Sequence, residues 1–242
     1  MGRARARGIA FALRRVVDTE RLFYRINGLF CLGMAANFFW SAGWLGGRAL
    51  ESFSEKELEH LLRQLAGGGP HVLVLVSYLP ALLMISLMLA FYLYLHRRAR
   101  YLSLLALLSG VLLSGILLLR QISGHQLVAV ALRYVATTEY TARGELFQEA
   151  RRVLDLHLMH GLLVNRASIV AYALYGFLFQ KSRSLLEVLL GYLLLLSALL
   201  LLIAQVMAPW GGALELAKAA GFPAFAFILA AVVLLRARSE EE

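Results

Sequence analysis

Between positions 120 and 166 the chain sets Arg120, His125, His157, His160, Asn165 and Arg166 among long leucine-rich runs. Imidazole titrates near neutral pH and is a frequent metal ligand. Guanidinium takes carboxylates or phosphates through a fixed fork of donors. If the residues on either side of a turn near Tyr140 form antiparallel helices, His125 falls level with Leu156 and His157. His160 then lies one turn below His157, near the level of Arg120. Two imidazoles at one depth on adjacent helices are what axial haem ligation or a small metal site requires. A haem also needs helices spread to admit the ring. Zinc wants further ligands, and only Asp155 and Gln126 are near in that register. The expectation is therefore no cofactor and no metal, with the histidines hydrogen-bonded to water, headgroups or each other. An anion or headgroup bound with Arg120 is the second reading, and a haem or metal site the third.

A wider set of polar residues falls in one half of the apolar runs: Asn37, Tyr78, Arg120, His157, His160, Asn165 and Arg166. Trp40, Trp44 and Trp210 suit an interfacial aromatic belt. Asn37, Asn165 and Arg166 do not, because polar and charged groups at membrane depth are costly and normally face a bundle interior, a partner or water. The seven residues are the candidate ligand-binding set, lining an outward-open polar cavity; simple structural polar packing is the alternative. Ser109, Gly110, Ser114 and Gly115 would form a close-packing face near the depth of Arg166.

No catalytic signature survives inspection. Ser123-Gly124-His125 matches one block of the membrane lipid-phosphate phosphatases, but the companion blocks are missing: Leu189 stands where the second histidine would follow Ser182-Arg183. There is no His-Glu-x-x-His zinc helix, no Gly-x-Ser-x-Gly elbow and no Cys-x-x-Cys, since Cys31 is alone. The aspartates are only Asp18 and Asp155, too few for paired-aspartate metal chemistry.

The elements that must position these residues are membrane helices. The 242 residues are 60% hydrophobic and 16% charged, with a mean hydropathy of +0.71. Soluble domains carry about 25% charged residues. A span needs roughly 20 apolar residues, and six segments approach that: Ile26–Gly46, Val72–Leu95, Tyr101–Leu119, Leu158–Phe179, Leu185–Met207 and Ala219–Leu235. The predicted fold is an all-α polytopic transmembrane bundle of about six spans, with an N-terminal interfacial helix and a projecting helical hairpin between spans 3 and 4. Residues 1–25 form the basic interfacial helix, 26–238 the six-span domain and 239–242 an acidic tail. With both termini cytoplasmic, 14 of the 24 basic residues fall on the inner side and nine on the outer. The short basic turns at Arg97–Arg100, Lys181–Arg183 and Arg236–Arg238 are then all inside, as the positive-inside rule asks. The net charge of +9 is thus a topology signal, and no nucleic-acid partner is expected.

In the first outer loop, Ser54-Glu55-Lys56-Glu57 is a capping box. It opens an amphipathic helix with Leu58, Leu61, Leu62 and Leu65 on one face, expected to rest on the membrane surface or across the bundle mouth. Between Arg120 and His157 two arrangements stay open. Either the third and fourth helices continue and pair as a hairpin turning at Thr137–Thr141, or Ser123-Gly124 bends the chain and Gln126–Val135 lies in the membrane plane.

Two stretches carry a resemblance. Tyr92–Leu102 is a span ending in a basic turn that leads straight into the next span. Tyr172–Leu190 joins an aromatic-rich span end, a Lys/Ser/Arg turn and a new leucine-rich helix. With the span spacing over about residues 22–238, the chain resembles a family of bacterial six-helix membrane proteins, domain of unknown function 4386. The resemblance implies a fold and a bacterial inner-membrane location, and no activity or site residues. The expected function is a non-catalytic accessory or structural subunit of a membrane complex, with the lipid bilayer and other membrane subunits as partners. The alternative is a binder or carrier of a small lipid-like or anionic molecule.

Overall fold

The computed structural model describes residue 19 and residues 21–35, 54–67, 71–207 and 222–236. The basic stretch 1–18, Asn37, Trp40, Trp44, Trp210 and the acidic tail 239–242 lie outside the described residues. Within them the secondary structure is helical: α1 over residues 21–35, α2 Glu55–Gly67, α3 His71–Leu95, α4 Arg100–Ala136, α5 Tyr140–Gln180, α6 Leu185–Met207 and α7 Phe222–Arg236. Helices α3 to α6 are long and apolar enough to cross a membrane, while α7 is apolar but shorter. Helices are the economical answer in lipid because each satisfies its own backbone polar groups. The border expected between residues 25 and 26 falls inside α1, so Arg21 and Arg25 belong to the same helix as Cys31.

Packing follows chain order, with α3 on α4, α4 on α5, α5 on α6 and α6 on α7. The central core gathers Met84, Leu87 and Phe91 of α3, Tyr172, Tyr175 and Phe179 of α5, Cys31 and Met34 of α1, and Phe227 and Ala230 of α7. The Phe91 ring meets Tyr175 at 5.3 Å and Phe179 at 5.2 Å. The Tyr175 hydroxyl donates to the Met88 carbonyl at 3.1 Å, so this buried polar tip is satisfied. A close backbone approach joins α5 to α6. A Cβ on Gly191 would stand 2.7 Å from the Gly176 carbonyl oxygen and 2.5 Å from the Gln180 nitrogen. Small residues allow such contact, and dispersion across it holds helices together where lipid removes the hydrophobic drive.

One end of the bundle collects the basic turns. Arg98, in the α3–α4 turn, donates to Ser182 Oγ, in the α5–α6 turn, at 2.8 Å. Tyr24 of α1 meets Tyr94 of α3 edge-on at 6.1 Å. A Cβ on Gly28 would meet Leu235 at 2.9 Å, which brings the end of α7 and Arg236 to the same level.

The opposite end is a second, smaller core. The capping box is formed: Ser54 donates its backbone N–H to Glu57 Oε2 at 2.9 Å, and its Oγ–H at 2.8 Å. Helix α2 then buries Leu58 and Leu62 against Leu127, Val130, Ala131 and Tyr134 of α4 and Ala150 and Leu154 of α5. Its apolar face therefore meets the α4–α5 pair, where the sequence had suggested the membrane surface or the bundle mouth. Helix α4 runs unbroken through Ser123-Gly124. Leu132 and Val135 are exposed. Residues 127, 130, 131 and 134 share one stripe at helical spacing, and 132 and 135 fall on the other side. Arg133 pairs with Glu149 at 2.7 Å. Arg143 lies over the Tyr134 ring at 4.6 Å and reaches Glu59 at 3.7 Å. The hydrogen bond from Arg63 holds the Glu59 carboxyl below the usual carboxylate range.

Candidate functional site

The polar residues of α4 and α5 meet where these two helices cross from the central core to the smaller one. Ser123 is buried, and its hydroxyl is the hub. It donates to the Arg120 carbonyl at 2.9 Å. His157 Nδ1 and His160 Nδ1 each lie 3.2 Å from Ser123 Oγ. His157 Nδ1 is also 3.1 Å from the Arg120 carbonyl oxygen. A carbonyl only accepts, so this contact assigns the proton to Nδ1 and leaves Nε2 with its lone pair. Two glycines make room. A Cβ on Gly124 would touch His157 Cε1 at 3.3 Å, and a Cβ on Gly161 would lie 3.7 Å from Arg120 Nε. The Arg120 side chain thus reaches across to bare α5 backbone. Among the described residues no carboxylate pairs with it.

His125 is not part of this group. It faces α3, where its Nδ1 lies 2.6 Å from the Tyr78 hydroxyl and the two rings are 4.7 Å apart. The reason is helical: two residues on from Ser123 is about 200° around α4. The level-by-level register expected for His125 and His157 is close, but their azimuths differ. Among the described residues no three His, Cys, Asp or Glu side chains converge.

Asn165 and Arg166 are placed differently from the cavity reading. Both are exposed on the outer face of α5, beside Leu163 and Val170. Neither makes a hydrogen bond or ion pair with another described residue. Gln205 of α6 reaches only the Leu162 carbonyl, at 3.5 Å. The small-residue face does not meet Arg166 either. Gly110 faces α3, where a Cβ would stand 2.4 Å from Met88 Cγ, and Gly115 has nothing within 4 Å. Of the seven candidates, then, Arg120, His157 and His160 come together, Tyr78 pairs with His125, Asn165 and Arg166 face outward, and Asn37 lies outside the described residues.

Sequence reasoning missed a second polar centre, at the end with the basic turns. Glu187, 5% exposed, accepts from Tyr94 OH at 2.8 Å and from both Arg98 and Ser182 at short range. Arg98 also lies over the Tyr94 ring at 5.4 Å. The hydrogen bond to Glu187 pushes the Arg98 guanidinium above the usual arginine range. The available signal was a lone carboxylate at the mouth of an otherwise uncharged span, which needs a counter-charge. The centre joins two turns and has the character of a structural clasp.

The chain matches no protein-family model, no curated protein and no solved structure.

Proposed function

We propose that the protein is a six-span accessory subunit of a membrane complex, with both termini cytoplasmic and α2 and the outer parts of α4 and α5 projecting from the far side. The single observation that carries the subunit reading is the outward-facing Asn165–Arg166 pair on α5. Arg166 stands about 14 residues from the α5 end at Gln180, or about 21 Å at 1.5 Å per residue. That is inside a hydrocarbon layer of roughly 30 Å. An unpaired guanidinium at that depth calls for a partner. A neighbouring span carrying a carboxylate, with Asn165 adding a hydrogen bond, supplies one.

The topology reading is supported by the gathering of the α1 start, both basic turns and Arg236 at one end. By the same rise, α4 continues about 24 Å beyond Arg120 and α5 begins about 30 Å before His160, enough for the α2-capped unit to stand clear of the bilayer. This placement and the resemblance to the six-helix bacterial family are parts of the same proposal, as is a bacterial inner-membrane location.

Site-directed photo-crosslinking tests the subunit reading. A photoreactive residue in place of Val170, exposed one turn from Arg166, is expected to give one discrete adduct with a different polypeptide in native membranes. The adducted segment should be a span with an acidic residue, and Arg166→Leu should abolish the adduct. Lipid adducts alone, or an adduct indifferent to Arg166→Leu, would overturn it.

A further inference from the structure

We propose that Arg120, Ser123, His157 and His160 form a phosphate-binding site at the outer headgroup level, on a different face of the bundle from Arg166. Three observations converge on this assignment.

The first is charge without counter-charge. Arg120 is half-buried between α4 and α5, and among the described residues no carboxylate pairs with it. Glu149 and Glu59 are engaged with Arg133, Arg63 and Arg143 in the smaller core. A half-buried guanidinium with no carboxylate beside it favours an anion at that position. The second is orientation. The Arg120 carbonyl and Ser123 Oγ occupy the Nδ1 atoms of both imidazoles. That fixes the rings and leaves both Nε2 atoms without a partner among the described residues. This is the pattern of a functional histidine, one nitrogen anchored and the other offered. An Nε2 donates to a phosphate oxygen once the ring is protonated. The Arg120 fork supplies charge-assisted donors beside them.

The third is depth. Arg120 lies about 20 residues beyond the α4 start at Arg100, and His160 about 20 residues before the α5 end at Gln180. Those two helix ends meet through Arg98 and Ser182 at one level. Both groups therefore stand about 30 Å from the same reference end, which is the hydrocarbon thickness. Arg120 and the two Nε2 atoms reach the layer where lipid phosphates lie, and where a soluble phosphate ester also has access. Glycine at 124 and 161 keeps the His157 ring and the Arg120 side chain against bare backbone.

The test uses the full-length protein in maltoside micelles, which contain no phosphate, with phosphatidylglycerol as the lipid probe and inorganic phosphate as the soluble one. Native mass spectrometry counts retained lipid, and 15N NMR of labelled histidine follows Nε2. Wild type is expected to retain the lipid and to shift the Nε2 signals of His157 and His160. Arg120→Gln should weaken retention by about tenfold or more, the loss of a charge-assisted contact. Arg133→Gln, at an exposed ion pair beside the smaller core, should not. If Arg120→Gln fails to fold, His160→Gln, which removes one offered nitrogen, is expected to cut retention by itself. Displacement of the lipid by inorganic phosphate would assign the site to phosphate in general, and failure to displace it would assign the lipid form. Retention equal in wild type, Arg120→Gln and His160→Gln, or Nε2 signals unmoved by either probe, would overturn the proposal.

Discussion

Arg98 and Glu187 are 89 positions apart and form a charge-assisted hydrogen bond that clasps the α3–α4 turn to the start of α6. The carboxylate side chain is 6% exposed and the guanidinium 46%. Removing the arginine strands a buried carboxylate, which for a fully buried pair costs about 3–5 kcal/mol. With Arg98 partly in water and Tyr94 and Ser182 still donating, Arg98→Ala should cost about 2 kcal/mol. Adding Glu187→Gln to Arg98→Ala should recover part of that loss. Thermal unfolding in detergent reads both, and a double variant no more stable than Arg98→Ala would contradict the pairing.

The Gly176–Gly191 contact should tolerate no side chain. The atoms a Gly191 Cβ would strike are backbone, at 2.5 and 2.7 Å, so α5 and α6 must separate. Gly191→Ala should destabilise by at least the 1–3 kcal/mol typical of overpacking. Gly110→Ala should cost less, because its nearest neighbour is the flexible Met88 side chain. Melting temperatures of the two variants in one detergent give the comparison.

Docking of α2 should depend on Leu62, which is fully buried in the smaller core. Leu62→Ala is expected to cost about 2–5 kcal/mol locally. Hydrogen exchange should accelerate across 55–67 and in the facing parts of α4 and α5, while the central core keeps its protection. Unchanged exchange in α2 would place that helix elsewhere.

Topology is open to a direct check. Lys56 and Arg97 are both exposed, on α2 and in the α3–α4 turn. Cysteines replacing them should react with an impermeant thiol reagent from opposite sides of the membrane. Reaction from the same side would defeat the six-span arrangement.

The sequence by itself determined that the chain is helical and apolar, where α3, α5 and α6 end and what caps α2. These are local properties: a leucine run must satisfy its own backbone in lipid, and Ser54 needs only Glu57 three residues on. Axial level was legible too, since a 1.5 Å rise and a turn near Tyr140 set His160 near the level of Arg120, and Arg120 does lie beside Gly161. Azimuth was not. Each residue turns a helix by about 100°, so a small error in helix rotation sends His125 to Tyr78, and Arg166 outward where a cavity had been expected. Spans hydrophobic all round carry no moment to fix that rotation. Only packing decided it, through the bare backbone of Gly176 and Gly191, the Phe91–Tyr175–Phe179 rings and the Arg98–Glu187 clasp, contacts between residues far apart in the chain.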